Sequence, residues 1–163
     1  MRFLLLLAAS SIALVSCGGS KTETASAPAA SSPTSTQNMH RIEVVPRFFV
    51  DQIGAVSSPA TDKEISINSS GPLMVGGWAA DPSGVAVSGV EVTIDQKPYF
   101  TTYGVERPDV ALALKNSTYN KFGFQFNTPA SQFSNGTHDL TVRIINKDRT
   151  GYFETPVYHL RVQ

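Results

Sequence analysis

Apolar and polar residues alternate in five separate stretches of this chain, and that alternation constrains the fold more than any other feature. Ile65 and Ile67 alternate with Glu64, Ser66 and Asn68, and Val90, Val92 and Ile94 with Glu91, Thr93 and Asp95. Phe122, Phe124 and Phe126 alternate with Lys121, Gly123, Gln125 and Asn127. Leu140, Val142 and Ile144 alternate with Asp139, Thr141 and Arg143, and Tyr158, Leu160 and Val162 with His159 and Arg161. Side chains two positions apart share one face of a strand, so each stretch reads as a strand with a single apolar face. Asp81-Pro82-Ser83-Gly84, Asn135-Gly136 and Arg149-Thr150-Gly151 supply turns between them. Short, one-faced strands at this spacing predict an all-β fold, two antiparallel sheets packed face to face in a single sandwich. Only Arg107 to Leu114 has helical character. Pro108 and Asp109 suit a helix start, and the span predicts one or two turns crossing between strands.

The alternation is absent from the first forty residues. Met1 to Ser16 holds Arg2 and then an almost unbroken apolar run, with twelve of sixteen residues hydrophobic. A spanning helix needs about 20 apolar residues. This run is shorter, follows a cation and ends in small residues, as a secretory signal does. Its end, Leu14-Val15-Ser16-Cys17-Gly18, resembles the lipobox of bacterial lipoproteins. That resemblance implies cleavage before Cys17, diacylglycerol on its thiol and acylation of the new amino group. Two or more acyl chains give stable membrane anchoring. Gly18 is not the aspartate associated with inner-membrane retention, so the resemblance implies an outer-membrane protein of the cell envelope, on the periplasmic or the surface face.

Gly18 to Asn38 contains seventeen Gly, Ser, Thr, Ala or Pro residues among 21 and no large hydrophobe. Such a segment cannot bury enough apolar area to offset its ordering entropy. It is expected to be a disordered tether of roughly 25 Å root-mean-square span. The division is therefore a signal over 1–16, a lipidated cysteine and tether over 17–40, and a β-sandwich domain over 41–163. In residues 42–163, 49 of 122 positions are hydrophobic, enough for a core without disulfides. The single cysteine excludes an intrachain disulfide and a cysteine-rich zinc site. Thirteen basic residues balance thirteen acidic ones, which excludes the cationic footprint of a nucleic-acid partner.

Three clusters inside the domain stand in order. They are Gly77-Trp78-Ala79-Ala80-Asp81, then Tyr103-Gly104-Val105-Glu106-Arg107-Pro108-Asp109-Val110, then Gly123-Phe124 with Gly136-Thr137-His138-Asp139-Leu140. Over about residues 48–153 they resemble an immunoglobulin-like β-sandwich module of bacterial secreted and surface proteins, sometimes appended to larger enzymes. The resemblance implies a fold and carries no single activity with it. One departure is Asp95-Gln96-Lys97-Pro98 where the module has an Asp-Gly hairpin. Gln takes a positive φ less readily than Gly, so a longer turn is expected there.

Tyr103, Arg107 and Asp109 are the candidate ligand-binding residues, because an exposed polar loop on a rigid scaffold is where recognition usually sits. The competing reading is a loop staple, with Arg107 bonding backbone carbonyls and Asp109 capping the short helix. Trp78 is expected in the core and His138 at its margin, both structural, while His159 faces solvent. The histidines have no zinc-site spacing, and no nucleophile elbow, phosphate loop or calcium loop occurs. No cofactor and no metal are therefore expected. The composite expectation is a non-enzymatic, lipid-anchored module that binds the membrane through Cys17 and presents loops to a protein or an envelope component. An alternative is a carbohydrate-binding module stacking sugars on Tyr99, Tyr103, Tyr119 or Trp78. A third is a small envelope enzyme whose site only the fold would assemble.

Overall fold

The computed structural model describes residues 35–163. Their strands in chain order are β1 (His40–Arg41), β2 (Arg47–Ile53), β3 (Val56–Ser57), β4 (Glu64–Ile67), β5 (Pro72–Ala80), β6 (Gly89–Ile94) and β7 (Lys97–Phe100). There follow β8 (Thr102–Val105), one helix α1 (Pro108–Ala113), β9 (Gly123–Pro129), β10 (Gly136–Ile145), β11 (Gly151–Glu154) and β12 (Tyr158–Val162). Short 3-10 turns cover Thr36–Asn38, Ser117–Lys121 and Ala130–Gln132.

These strands form the expected all-β sandwich. One sheet runs β3-β2-β5-β9-β8, and every pairing in it is antiparallel. The other has seven strands built around the long β10, which pairs β6 on one side and both β12 and β11 on the other. Two pairings in this second sheet are parallel, β12 with β4 and β1 with β11. Alternation within a strand carries no information about the direction of its neighbour, so the sequence gives no sign of them.

The apolar sets meet between the sheets. Leu73, Val75, Phe124 and Phe126 from one sheet pack against Ile65, Val92, Leu140, Val142 and Leu160 from the other. Phe122 departs from its expected strand. It follows the 3-10 turn Ser117–Lys121 and packs in a second, smaller cluster with Ala80, Val110 and Tyr119. That cluster lies under α1, which the sequence places correctly.

Two further expectations are corrected by geometry. The β6–β7 hairpin is not lengthened: Ile94 pairs with Lys97, leaving a two-residue turn. Asp95 (φ 50°) and Gln96 (φ 67°) both take the left-handed conformation that such a turn needs to match strand twist. Gln96 therefore sits where glycine is cheaper, and the ladder on either side holds it there. The second concerns residues 36–41. Composition ends the tether at residue 40, but Thr36 is buried and His40 and Arg41 pair with Gly151 and Tyr152. This segment is held by polar residues bonded to polar residues of the sheet rather than by packing in the core.

Candidate functional site

The outer face of the β2–β5–β9 sheet carries the loop singled out by sequence. The register of β2 shifts between Val50 and Gln52, a bulge that re-aims Asp51. Arg107 follows β8, and its backbone N–H donates to the Asn120 carbonyl at 2.7 Å. Gly123 makes room for it, since a Cβ there would fall 2.8 Å from Arg107 Cγ and 2.6 Å from the Val105 oxygen. The guanidinium then forks. Nε and Nη2 donate to the two oxygens of Asp109 at 2.9 and 2.6 Å, and Nη1 donates to Asp51 Oδ2.

Planar, two-point pairing of this kind is the strongest ordinary arginine–carboxylate geometry. The Asp109 bonds, with Asp51 behind them, hold the guanidinium charged to well above its ordinary range. In return the hydrogen bonds from Arg107 lower Asp109 to about 2. The loop is therefore stapled, although not as the sequence suggests. Arg107 grips carboxylates rather than carbonyls, and Asp109 makes no side-chain cap on α1.

Tyr103 does not join this pair on the surface. Its hydroxyl donates to the Ala79 carbonyl at 2.8 Å and accepts from the Val87 N–H at 3.3 Å. Burial pushes its pKa up to about 12. These bonds tie β8 to the end of β5. Of the three loop candidates, Arg107 and Asp109 come together and Tyr103 stands apart.

Trp78 is half-buried and lies outside the main core, on the outward side of β5. It meets Tyr119 edge-on at 5.8 Å and supports the small cluster under α1. The strand parity of Leu73, Val75 and Ala79 excludes it from the inner face. Tyr119 is buried, and its hydroxyl accepts from Arg47 Nη1 at 3.1 Å. Tyr99 belongs to the other sheet, where it packs on Phe126 and Phe133. The four aromatics share no exposed face, so the stacking platform is not assembled.

Beside the staple runs a shallow groove of about 250 Å³, lined by Asp51, Gln52, Met74, Gly76, Arg107 and Gln125. Nothing in the sequence marks Asp51 as part of this surface, because the bulge that aims it has no composition signal. His138 is placed as expected, buried at the end of the core. Its Nδ1 lies 2.6 Å from Asp95 Oδ2 and its Nε2 lies 2.8 Å from the Ser134 carbonyl. Both partners are acceptors, so the doubly protonated ring satisfies both contacts. The Asp95 bond and then the Ser134 bond raise the pKa of His138.

Among the described residues, no group of three His, Cys, Asp or Glu side chains stands close enough to hold a metal ion. No helix among them is long and apolar enough to cross a membrane. Cys17, the signal over 1–16 and most of the tether lie outside the described residues.

A family model described as a bacterial Ig domain matches residues 54–142, more than half of the chain. No curated protein matches it. The solved structure of the endo-β-1,4-mannanase from Thermotoga petrophila is similar over 73% of this chain, with 10% identity and a TM-score of 0.45. This chain spans 20% of that enzyme's length.

Proposed function

From the premise that this chain belongs to the bacterial Ig domain family, we propose that it is a lipid-anchored, non-enzymatic module of the cell envelope, held through Cys17. In this reading residues 1–16 are removed, Cys17 carries the acyl chains, and a spacer rich in Ser, Thr, Ala and Pro follows. The sandwich then presents its loops to a protein or another envelope component, on the outer membrane of a two-membrane cell. The observation that carries the proposal is the placement of the chain's single cysteine. It stands directly behind Leu14-Val15-Ser16, is followed at once by polar spacer, and precedes a bacterial Ig domain.

The loop pair Arg107 and Asp109 supports a binding rather than a catalytic role. The guanidinium is held by two carboxylates, and its hydrogen bonds keep Asp109 ionised well below neutral pH. Any recognition there works through the outward carboxylate of Asp109 and the adjoining groove. Metabolic labelling with a radioactive or clickable palmitate tests the anchor. The wild-type chain is expected to take up label and sediment with membranes. Cys17→Ser is expected to take up none and to keep its first sixteen residues. Equal labelling of the two would refute the anchor.

A further inference from the structure

The outward face of the seven-stranded sheet holds a second forked arginine, and the end of the spacer closes over it. Arg143 sits between two acids on neighbouring strands, with Glu91 directly opposite on β6 and Glu154 directly opposite on β11. Its Nε donates to Glu154 Oε2 at 3.3 Å and its Nη1 to Glu91 Oε1 at 3.4 Å, with the Tyr152 ring stacked 4.9 Å from the guanidinium carbon. Glu91 is fully buried, yet it lies on the polar side of its strand. What covers it is the segment just before β1. The Thr36 N–H donates to Glu91 Oε2 at 3.2 Å, its hydroxyl donates to Oε1, and Arg143 Nη1 reaches Thr36 Oγ1 at 3.0 Å.

A separate observation shows that the sheet leaves space for this segment. A Cβ at Gly151 would meet Ile42 Cγ2 at 2.7 Å, the His40 oxygen at 2.9 Å and His40 Nε2 at 3.3 Å. All three are atoms of the segment and none belongs to the rest of the domain. β1 is then zipped onto β11 through His40 and Arg41, and the Ile42 N–H donates to the Tyr152 carbonyl at 2.9 Å. The segment lies wholly outside the stretch that matches the family model.

We propose that residues 35–42 are a clasp. They fix the point at which the anchoring tether leaves the domain, on the outer face of the seven-stranded sheet over Glu91 and Arg143. The statement about anchoring rests on the lipid-anchor reading; the clasp itself does not. With the clasp seated, the chain is bonded to the sheet from Thr36 onward. With it open, residues 35–46 are released up to β2, and these twelve residues add at most about 40 Å of reach. Opening also uncovers the carboxylates of Glu91 and Glu154 and the guanidinium of Arg143. The same residues therefore set both the reach of the domain and the exposure of a charged patch.

Trypsin reads both states, because Arg41 lies within the clasp. The experiment uses the full-length protein in detergent, as wild type, Thr36→Val and Gly151→Ala, with digestion followed by mass spectrometry and thermal unfolding measured in parallel. Wild type is expected to resist cleavage after Arg41. Each variant is expected to be cut there at least tenfold faster, with the remaining domain left intact and the strand site Arg161 in β12 uncut. Equal resistance of Arg41 in all three proteins would overturn the clasp, as would rapid cleavage there in the wild type. If Thr36→Val loses global stability, Gly151→Ala, whose added Cβ has its three nearest contacts in the clasp, decides alone. The mass of the fragment carrying Cys17 reports the lipid separately, so an unmodified cysteine beside a protected Arg41 would refute the anchor and leave the clasp standing.

Discussion

Two arginines in this sandwich grip two carboxylates each, and they differ in what surrounds them. Arg107 joins Asp51 and Asp109 at the open rim of a groove, where Asp109 is 64% exposed and Asp51 35%. Arg143 joins Glu91 and Glu154 beneath the clasp, where Glu91 is 0% exposed and Glu154 18%. The contacts at the rim are the shorter ones, and contact length alone would rank that fork first. Burial reverses the ranking. A rim carboxylate that loses its partner is rehydrated by nearby water, whereas Glu91 has only Thr36 and Arg143 to replace the water it has given up. The rim fork orders a loop, and the covered fork makes the sheet depend on the segment that seals it.

The comparison is tested most severely at Arg143. Arg143→Met leaves Glu91 buried without its counter-charge and is expected to cost about 3–5 kcal/mol. In thermal unfolding this is a drop of about 10 °C or more. Adding Glu91→Leu to that variant removes the stranded charge and is expected to recover a large part of the loss. Recovery of nothing would mean that the sheet needs the ion pair itself rather than relief from an unpaired charge.

His138 provides an intermediate case, a buried ring bonded to the exposed carboxylate of Asp95. Its pKa is raised in the folded state, so its contribution is fully present below about pH 6.5 and is lost as pH rises through the folded value. For Asp95, burial works against the charge, but the bonds from His138 and the Asp139 N–H outweigh it and lower the pKa. That contribution is present above about pH 3.8 and is lost as pH falls through the folded value. The pair therefore favours folding most between about pH 4 and 6.5. Thermal unfolding from pH 5 to 8.5 is expected to show a falling midpoint in the wild type and a flatter profile in His138→Gln. That variant is expected to lose about 2 kcal/mol at pH 5.5.

At the rim the effects shrink. Arg107→Met is expected to cost about 1 kcal/mol, because Asp51 and Asp109 turn to solvent. Its clearer signature is local, with faster amide exchange over α1 and the Ser117–Lys121 turn while β10 keeps its protection. Asp109→Asn is expected to cost about 0.5 kcal/mol and to show a salt dependence that Arg143→Met lacks. If Arg107→Met proved as damaging as Arg143→Met, burial would not be what separates the two forks.

The same contrast explains what the sequence discloses. Phe122 apart, the apolar alternations point to side chains that meet the other sheet, and Leu140, Val142, Leu160 and Ile65 lie where their parity places them. Arg107 and Asp109 are legible as loop residues around a proline, but their bond to each other is not, since the sequence suggests carbonyls and a helix cap as their partners. Asp51 is not legible, since a bulge in a strand 56 positions away aims it. Glu91 is legible only as an exposed residue, because its strand reads apolar on the opposite face. Its cover comes from Thr36, 55 positions earlier, in a stretch whose composition resembles spacer. Gln96 shows the reverse limit. Its poor fit to a left-handed turn is visible, but the outcome is set by the paired strands on either side. Local chemistry is readable along the chain. Polar contacts formed across it have no period to reveal them.

The anchor is the premise that gives the clasp its place in the cell, and one measurement addresses it most directly. Mass spectrometry of the protein, expressed from Met1 and purified from membranes, reads the state of residue 17. The account predicts a chain beginning at Cys17, with diacylglycerol on the sulfur and an acyl group on the new amino terminus. A chain that still begins at Met1, or that carries an unmodified Cys17, would contradict it.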